Sequence, residues 1–287
     1  MGWVALIEWF IDAHAHASTL GLGYEEVVRR FKSSGGRLVV LVQLNPASYG
    51  LDESLDGVMR SLEVHVRLCD RVRREYGGTL CFSGLHPATV DKLVRSAKDT
   101  ERVYRELEEN YMKKLESLLV SGLLDGLGEF GRPHYPSPPE SWAVNELLLV
   151  KSLTIAKDTG TKIHIHSENA GLVTYRSIRL LVDGVGLSHE NVLMHHVPPS
   201  QVGIYIKDGF YVSVVGKSQV VRGLSSECTN VLIESDYLDD PRRPGAVVYP
   251  WDIRREVLSA VSEGWLSSVC AERVLQVNPM VFYRISV

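Results

Sequence analysis

No two cysteines in this chain stand in Cys-x-x-Cys spacing. The four present, Cys69, Cys81, Cys228 and Cys270, are scattered. That suggests neither a disulfide framework nor a thiolate zinc site and makes a reducing, cytoplasmic interior the expected compartment. Long apolar runs are missing as well. The longest, such as Leu38 to Leu44, are far too short to span a bilayer, and residues 1–11 lack the basic start and long apolar centre of a signal peptide. No membrane association is expected. Nor is there an excess of positive charge: 31 Lys and Arg against 35 Asp and Glu leave a formal net charge of −4. This excludes a global field that would draw the protein to nucleic acid or an anionic surface, so any polyanion must be gripped locally. Pro/Ser-rich hinges, low-complexity stretches and charge blocks are also lacking. The expectation is one domain over residues 1–287, with no stable protein partner predicted; barrels of alternating strands and helices routinely reach ~250 residues as one domain.

What is present is a repeat of short apolar runs, each followed by a segment with helical periodicity. The strand candidates are Trp9–Asp12, Leu38–Leu44, Leu80–Gly84, Gly126–Glu129, Lys162–His166, Val192–His196, Phe210–Val215 and Val231–Glu234. Helical segments are predicted over Tyr24–Ser34, Glu53–Tyr76, Glu101–Leu119, Ser141–Thr159, Leu172–Val182, Gln201–Lys207, Gln219–Glu227, Trp251–Glu263 and Ser267–Tyr283. Strands apolar throughout are buried on both faces, as parallel strands covered by helices must be. Eight such units predict an α/β fold, a closed (β/α)8 TIM-like barrel, with an open doubly wound sheet as the competing arrangement. The Pro/Gly/Arg segment Asp239–Pro250 is expected to be a surface loop.

Ionisable residues stand at the carboxyl ends of nearly all these strands, which is the end of such barrels where chemistry is done. They are Asp12, His14 and His16, then His86, Glu129, His164 and His166, His195 and His196, and Asp236. Imidazole nitrogens and carboxylates hold Zn²⁺, Mn²⁺ and similar ions. His14 and His16, two apart in extended chain, point the same way and can grip one metal. Glu129 is the candidate bridge between two metals. His166, nearer the strand end than His164, is the better ligand, leaving His164 as a deeper ligand or a supporting partner. Adjacent His195 and His196 are expected on opposite faces, so that at most one reaches the mouth. Asp236 can ligate metal and take a proton from attacking water; Glu234, deeper, reads as a structural ion-pair partner.

In order along the chain, Ile11-Asp12-Ala13-His14-Ala15-His16, Gly84-Leu85-His86-Pro87, Gly128-Glu129-Phe130-Gly131, Ile165-His166-Ser167, His195-His196, Glu234-Ser235-Asp236 and the weaker Asn278-Pro279-Met280-Val281-Phe282 resemble the TatD-type metal-dependent hydrolases of the amidohydrolase superfamily. The resemblance covers residues 11 to 282. It implies one or two divalent ions (Zn, Mn or Mg), with His14 and His16 on the first, Glu129 bridging, His166 and a sixth-strand histidine on the second, and Asp236 near the first. His195-His196-Val197 looks more like an archaeal-type branch, which selects His196; the bacterial pattern selects His195.

Two departures alter the pocket wall. Arg132-Pro133-His134-Tyr135 stands where the family often has Leu-Asp, and Glu168 replaces an arginine expected after the fifth-strand His-Ser. Arg132, His134, Lys217, Arg242 and Arg243 are candidate anion contacts, and His86 is expected to touch substrate or leaving group. The resemblance points to deoxyribonuclease chemistry on a DNA end, with Asp236, Glu129 and His86 catalytic and His86, Arg132 and Lys217 binding substrate. Alternatives are hydrolysis of a small amide, lactone or phosphoester by the same site, and a metal-binding barrel without catalysis.

Overall fold

In the computed structural model, residues 7–224, 228–243 and 247–286 are described. Eight strands follow one another in sequence and in space: β1 (Phe10–Ala15), β2 (Gly36–Val42), β3 (Thr79–Ser83), β4 (Gly126–Gly131), β5 (Lys162–His166), β6 (Val192–Met194), β7 (Tyr211–Val215) and β8 (Val231–Glu234). Every neighbouring pair is parallel. The last strand returns to the first through an Ala15–Tyr237 bridge, with the His16 N–H donating to Tyr237 O at 2.8 Å and the Asp236 N–H to His14 O at 3.0 Å. The barrel is therefore nearly closed, and the open-sheet alternative is excluded.

Helices fill the crossovers, most of them amphipathic with an apolar face toward the strands. Among the longest are Leu55–Tyr76, capped by Ser54, and Pro139–Thr159, ended by Gly160 in the left-handed conformation. Two apolar layers result. One lies between strands and helices; the other fills the barrel with Ile11, Ala13, Val40, Val42, Phe82, Leu193 and Leu232. Phe282 and Tyr283, from the terminal helix Asn278–Tyr283, join this inner layer.

Several elements differ from expectation in ways that bear on the mouth. β1 runs on to Ala15, so His14 is a strand residue, whereas β6 stops at Met194 and leaves His195 and His196 beyond it. A helix over Pro87–Ser96 follows β3, unforeseen from periodicity, with Pro87 at its first turn and His86 as its cap. The segment expected as one helix over Glu101–Leu119 is interrupted by a π-turn at Leu107–Met112. Residues 225–227 and 244–246, parts of the predicted helix Gln219–Glu227 and the predicted loop Asp239–Pro250, lie outside the described residues.

The cysteine reading is corrected. Cys228, just before β8, and Cys270, in the helix Ser268–Glu272, are joined by a disulfide, with Cα atoms 5.6 Å apart. Their sequence separation of 42 hid a contact that only the closing of the barrel creates. Among the described residues, no helix is long and apolar enough to cross a membrane.

Candidate metal centre

Alternation along β1 turns His14 and His16 to the same side, and their Nε2 atoms lie 3.1 Å apart. His16 is oriented by its other nitrogen, Nδ1, 2.9 Å from the Val42 carbonyl of β2. A carbonyl only accepts, so Nδ1 carries a proton, and in the neutral ring Nε2 faces inward bare. Glu129, on β4, reaches the same point: Oε1 is 3.0 Å from His14 Nε2 and 3.2 Å from His16 Nε2. Its second oxygen is 3.0 Å from His166 Nδ1. Close approach of β3 permits this, since a Cβ on Gly84 would come within 2.5 Å of the Glu129 carbonyl oxygen.

His195 and His196 both line the mouth, against the expectation of opposite faces. The strand has already ended, and His196 takes a left-handed backbone with φ 42°, so strand alternation no longer applies. His195 Nδ1 lies 2.8 Å from Glu234 Oε2, while its Nε2 lies 3.5 Å from Asp236 Oδ1 and 3.9 Å from Glu129 Oε2. His196 Nε2 lies 3.2 Å from His166 Nδ1, and its backbone N–H donates to the other Glu234 oxygen at 2.9 Å. Glu234 is thus the bracket for both histidines. Asp236 is left-handed too, φ 47°. Two non-glycine residues in that region at one rim are a local cost of about 1–3 kcal/mol each, of the kind that clusters at functional sites. Asp12, singled out by position but given no role, accepts from the His14 N–H (3.2 Å) and the Ser235 N–H (2.9 Å) and so ties β1 to β8.

The remaining candidates divide. His86 accepts the Ala88 N–H on Nδ1 at 3.1 Å, so the neutral ring carries its proton on Nε2, which faces the mouth 3.8 Å from Glu129. His134, on an exposed loop, lies against His166, with Nδ1 2.7 Å from its Nε2. Arg132 is turned away from the mouth: it is buried, donating to Glu146 (2.9 Å) and Ser177 (2.8 Å) and lying 3.5 Å from Glu168. Lys217 lines a separate cavity with Tyr249 and Glu256. Arg242 is spent on Asp240 at the surface. Arg243 does line the mouth, a cavity of about 590 Å³.

Burial pushes His14 and His196 down to about 4 and His86 to about 3, so these rings are neutral at pH 7. Burial also opposes ionisation of Glu129, but His195, His14, His16 and His166 around it hold its carboxyl well below the usual range. Asp236 is pushed up to about 7 by burial, with His16 pulling the other way.

These donors fit a divalent cation. Glu129 Oε2 is buried and lacks a hydrogen bond, although His166 Nδ1 is 3.0 Å away. A bare imidazole nitrogen, a second imidazole and a carboxylate at 3.0–3.2 Å have the spacing of ligands sharing one ion with bonds of about 2.1 Å. The grouping of His65, Cys69 and Cys81 differs, because His65 has no nitrogen to spare. Nδ1 meets the Tyr24 hydroxyl at 2.6 Å and Nε2 the Phe82 carbonyl at 2.9 Å.

A (β/α)8 barrel whose mouth gathers histidines around one buried carboxylate belongs among the metal-dependent hydrolases. The chain belongs to the family described as TatD related DNase, whose model matches residues 11–283. An uncharacterized protein of Methanocaldococcus jannaschii is 27% identical over 257 residues, covering 89% of this chain and 88% of that protein. Two solved structures from Escherichia coli share the fold at 15% identity. The TatD homologue YjjV has a TM-score of 0.65, covering 96% of this chain and 98% of its own. The phosphotriesterase homology protein, complexed with phosphate in its active site, has a TM-score of 0.64, covering 96% and 99%.

Proposed function

We propose that this protein is a divalent-metal-dependent phosphodiesterase that hydrolyses DNA from a strand end. The observation that carries the reading is Glu129, one oxygen of which meets His14 and His16 while the other lies beside His166. His14, His16 and Asp236 would hold one ion and His166 and His195 a second, with Glu129 shared. Zn²⁺, Mn²⁺ and Mg²⁺ are the candidates. His195 is preferred to His196 because Glu234 braces its Nδ1 and leaves Nε2 aimed at Glu129 and Asp236.

A divalent ion held there supplies Lewis acidity and makes a nearby water more acidic. Asp236, on the cavity wall between His16 (3.8 Å) and His195 (3.5 Å), orients that water and accepts its proton. His86 presents an Nε2–H to the mouth and donates to a phosphoryl oxygen, holding the charge that develops there. Arg243 takes an adjoining phosphate.

With Arg132 and Lys217 off the mouth, cationic contact is confined to Arg243 among the described lining residues. That restricts the grip to a strand end and also favours the second reading, a small phosphoester. The similar fold of the phosphotriesterase homology protein, which holds phosphate, points the same way. Digestion of a short end-labelled single strand by metal-stripped protein given Mg²⁺, Mn²⁺ or Zn²⁺, beside Glu129→Ala, tests the proposal. Metal-dependent laddering lost in the variant supports it. No cleavage with any metal rejects DNA, and turnover of a small phosphoester that salt leaves unchanged establishes the second reading.

A further inference from the structure

Behind the metal centre a file of hydrogen-bonding groups runs from His14 down the barrel axis. His14 Nδ1 lies 3.1 Å from His164 Nδ1, and His164 Nε2 lies 3.0 Å from the Tyr283 hydroxyl. That hydroxyl in turn is 2.9 Å from the Ala13 carbonyl oxygen. All three side chains are buried. The β1–β2 pairing is irregular between Asp12 and Ala15, and the phenol supplies the Ala13 carbonyl with a donor there.

The direction of the file follows from counting protons. The Ala13 carbonyl can only accept, so the single phenolic proton of Tyr283 points to it, and the phenolic oxygen is left to accept from His164 Nε2–H. Neutral His164 then has a bare Nδ1, which accepts from His14 Nδ1–H. His14 is left with a bare Nε2 facing Glu129 and His16. The reverse direction would run Tyr283 to His164 to His14, placing a proton on His14 Nε2 toward Glu129. It would leave the buried Ala13 carbonyl without the phenol, a loss of about 1–3 kcal/mol. The two Nδ1 atoms lie 3.1 Å apart with room for one proton between them, so one ring must donate there and the other accept.

We propose that Tyr283 and His164 are positioning residues that lock His14 in the tautomer with Nδ1 protonated, keeping Nε2 bare for a metal ion. A histidine 3.0 Å from a buried carboxylate would otherwise place its proton between the two, where it blocks the ligand atom. The proposal rests on the reading of the cluster as a metal centre, but the tautomer itself does not require metal. It also accounts for a second histidine on β5 and for an aromatic residue at the end of the chain, both remote from the mouth.

The test is a long-range ¹H–¹⁵N spectrum of histidine-labelled, metal-stripped protein, beside Tyr283→Phe. In the wild type, His14 is expected as the Nδ1–H tautomer and His164 as Nε2–H. In Tyr283→Phe, His14 shifts to the Nε2–H form, and Zn²⁺ affinity by competition with a chelating dye falls about 10- to 100-fold. A wild-type His14 protonated on Nε2, or a tautomer and affinity unchanged in Tyr283→Phe, overturns the proposal. If the variant does not fold by circular dichroism, the wild-type tautomers alone decide. A wild type with the expected tautomers that binds no divalent ion removes the metal-centre reading and leaves the hydrogen-bond file standing.

Discussion

Arg132 Nη1 lies 3.5 Å from Glu168 Oε1, which joins the loops that follow β4 and β5. Arg132 directly follows β4 and Glu168 stands in the loop after β5. The pair sits behind the mouth with Glu146 and Ser177, so the guanidinium points away from the cavity and braces its wall.

Arg132→Ala should therefore act on stability. Because Glu146 and Glu168 are partly exposed and can be resolvated, the loss is expected at about 1–2 kcal/mol. Urea denaturation checks this, with KM for any phosphoester expected to stay within about twofold of wild type. A large KM change at unaltered stability would restore Arg132 as a substrate contact.

His195 and His196 both reach the mouth, but only the His195 ring is braced by Glu234 and aimed at both Glu129 and Asp236. His195→Ala is expected to weaken metal binding by at least about a hundredfold, and His196→Ala by less than about tenfold. Metal content after dialysis, by atomic emission, distinguishes them; the opposite ranking would make His196 the ligand.

Metal uptake should release protons below neutrality. In the metal-free protein Asp236 is pushed up to about 7 by burial, so at pH 6 it is mostly protonated and must lose that proton to bind an ion. At pH 8 it is already ionised and contributes none. Calorimetry in two buffers of different ionisation enthalpy should show about one fewer proton released at pH 6 by Asp236→Asn than by wild type, with little difference at pH 8. Equal release at pH 6 would remove Asp236 from the ligands.

The Cys228–Cys270 disulfide ties the approach to β8 to the helix Ser268–Glu272. Removing it with Cys270→Ser should cost about 2–4 kcal/mol through the freed unfolded chain. Thermal denaturation with and without reductant reads this out, and a wild type insensitive to reductant would mean that the bond does not contribute.

The barrel was legible in the sequence because its strands are apolar on both faces and their spacing repeats; those are local properties that solvent exclusion imposes residue by residue. The site was legible in part for the same reason. His14 and His16 are two apart at the carboxyl end of β1, and extended-chain alternation sends them to the same side. The limit came where regular structure stops. That His195 and His196 share a face depends on where β6 ends and on a left-handed turn at His196, which no periodicity reports. Glu234 as their bracket, Arg132 as a partner of Glu168, Cys228 as a partner of Cys270, and Tyr283 beneath His164 are contacts between residues 36 to 119 positions apart. Their energies arise only after closure has excluded water and set the partners a few ångströms apart. The sequence determined that histidines and carboxylates stand at the strand ends. The tertiary structure decided which of them face one another, which are turned to the wall, and which protons they hold, because those are matters of distance and burial.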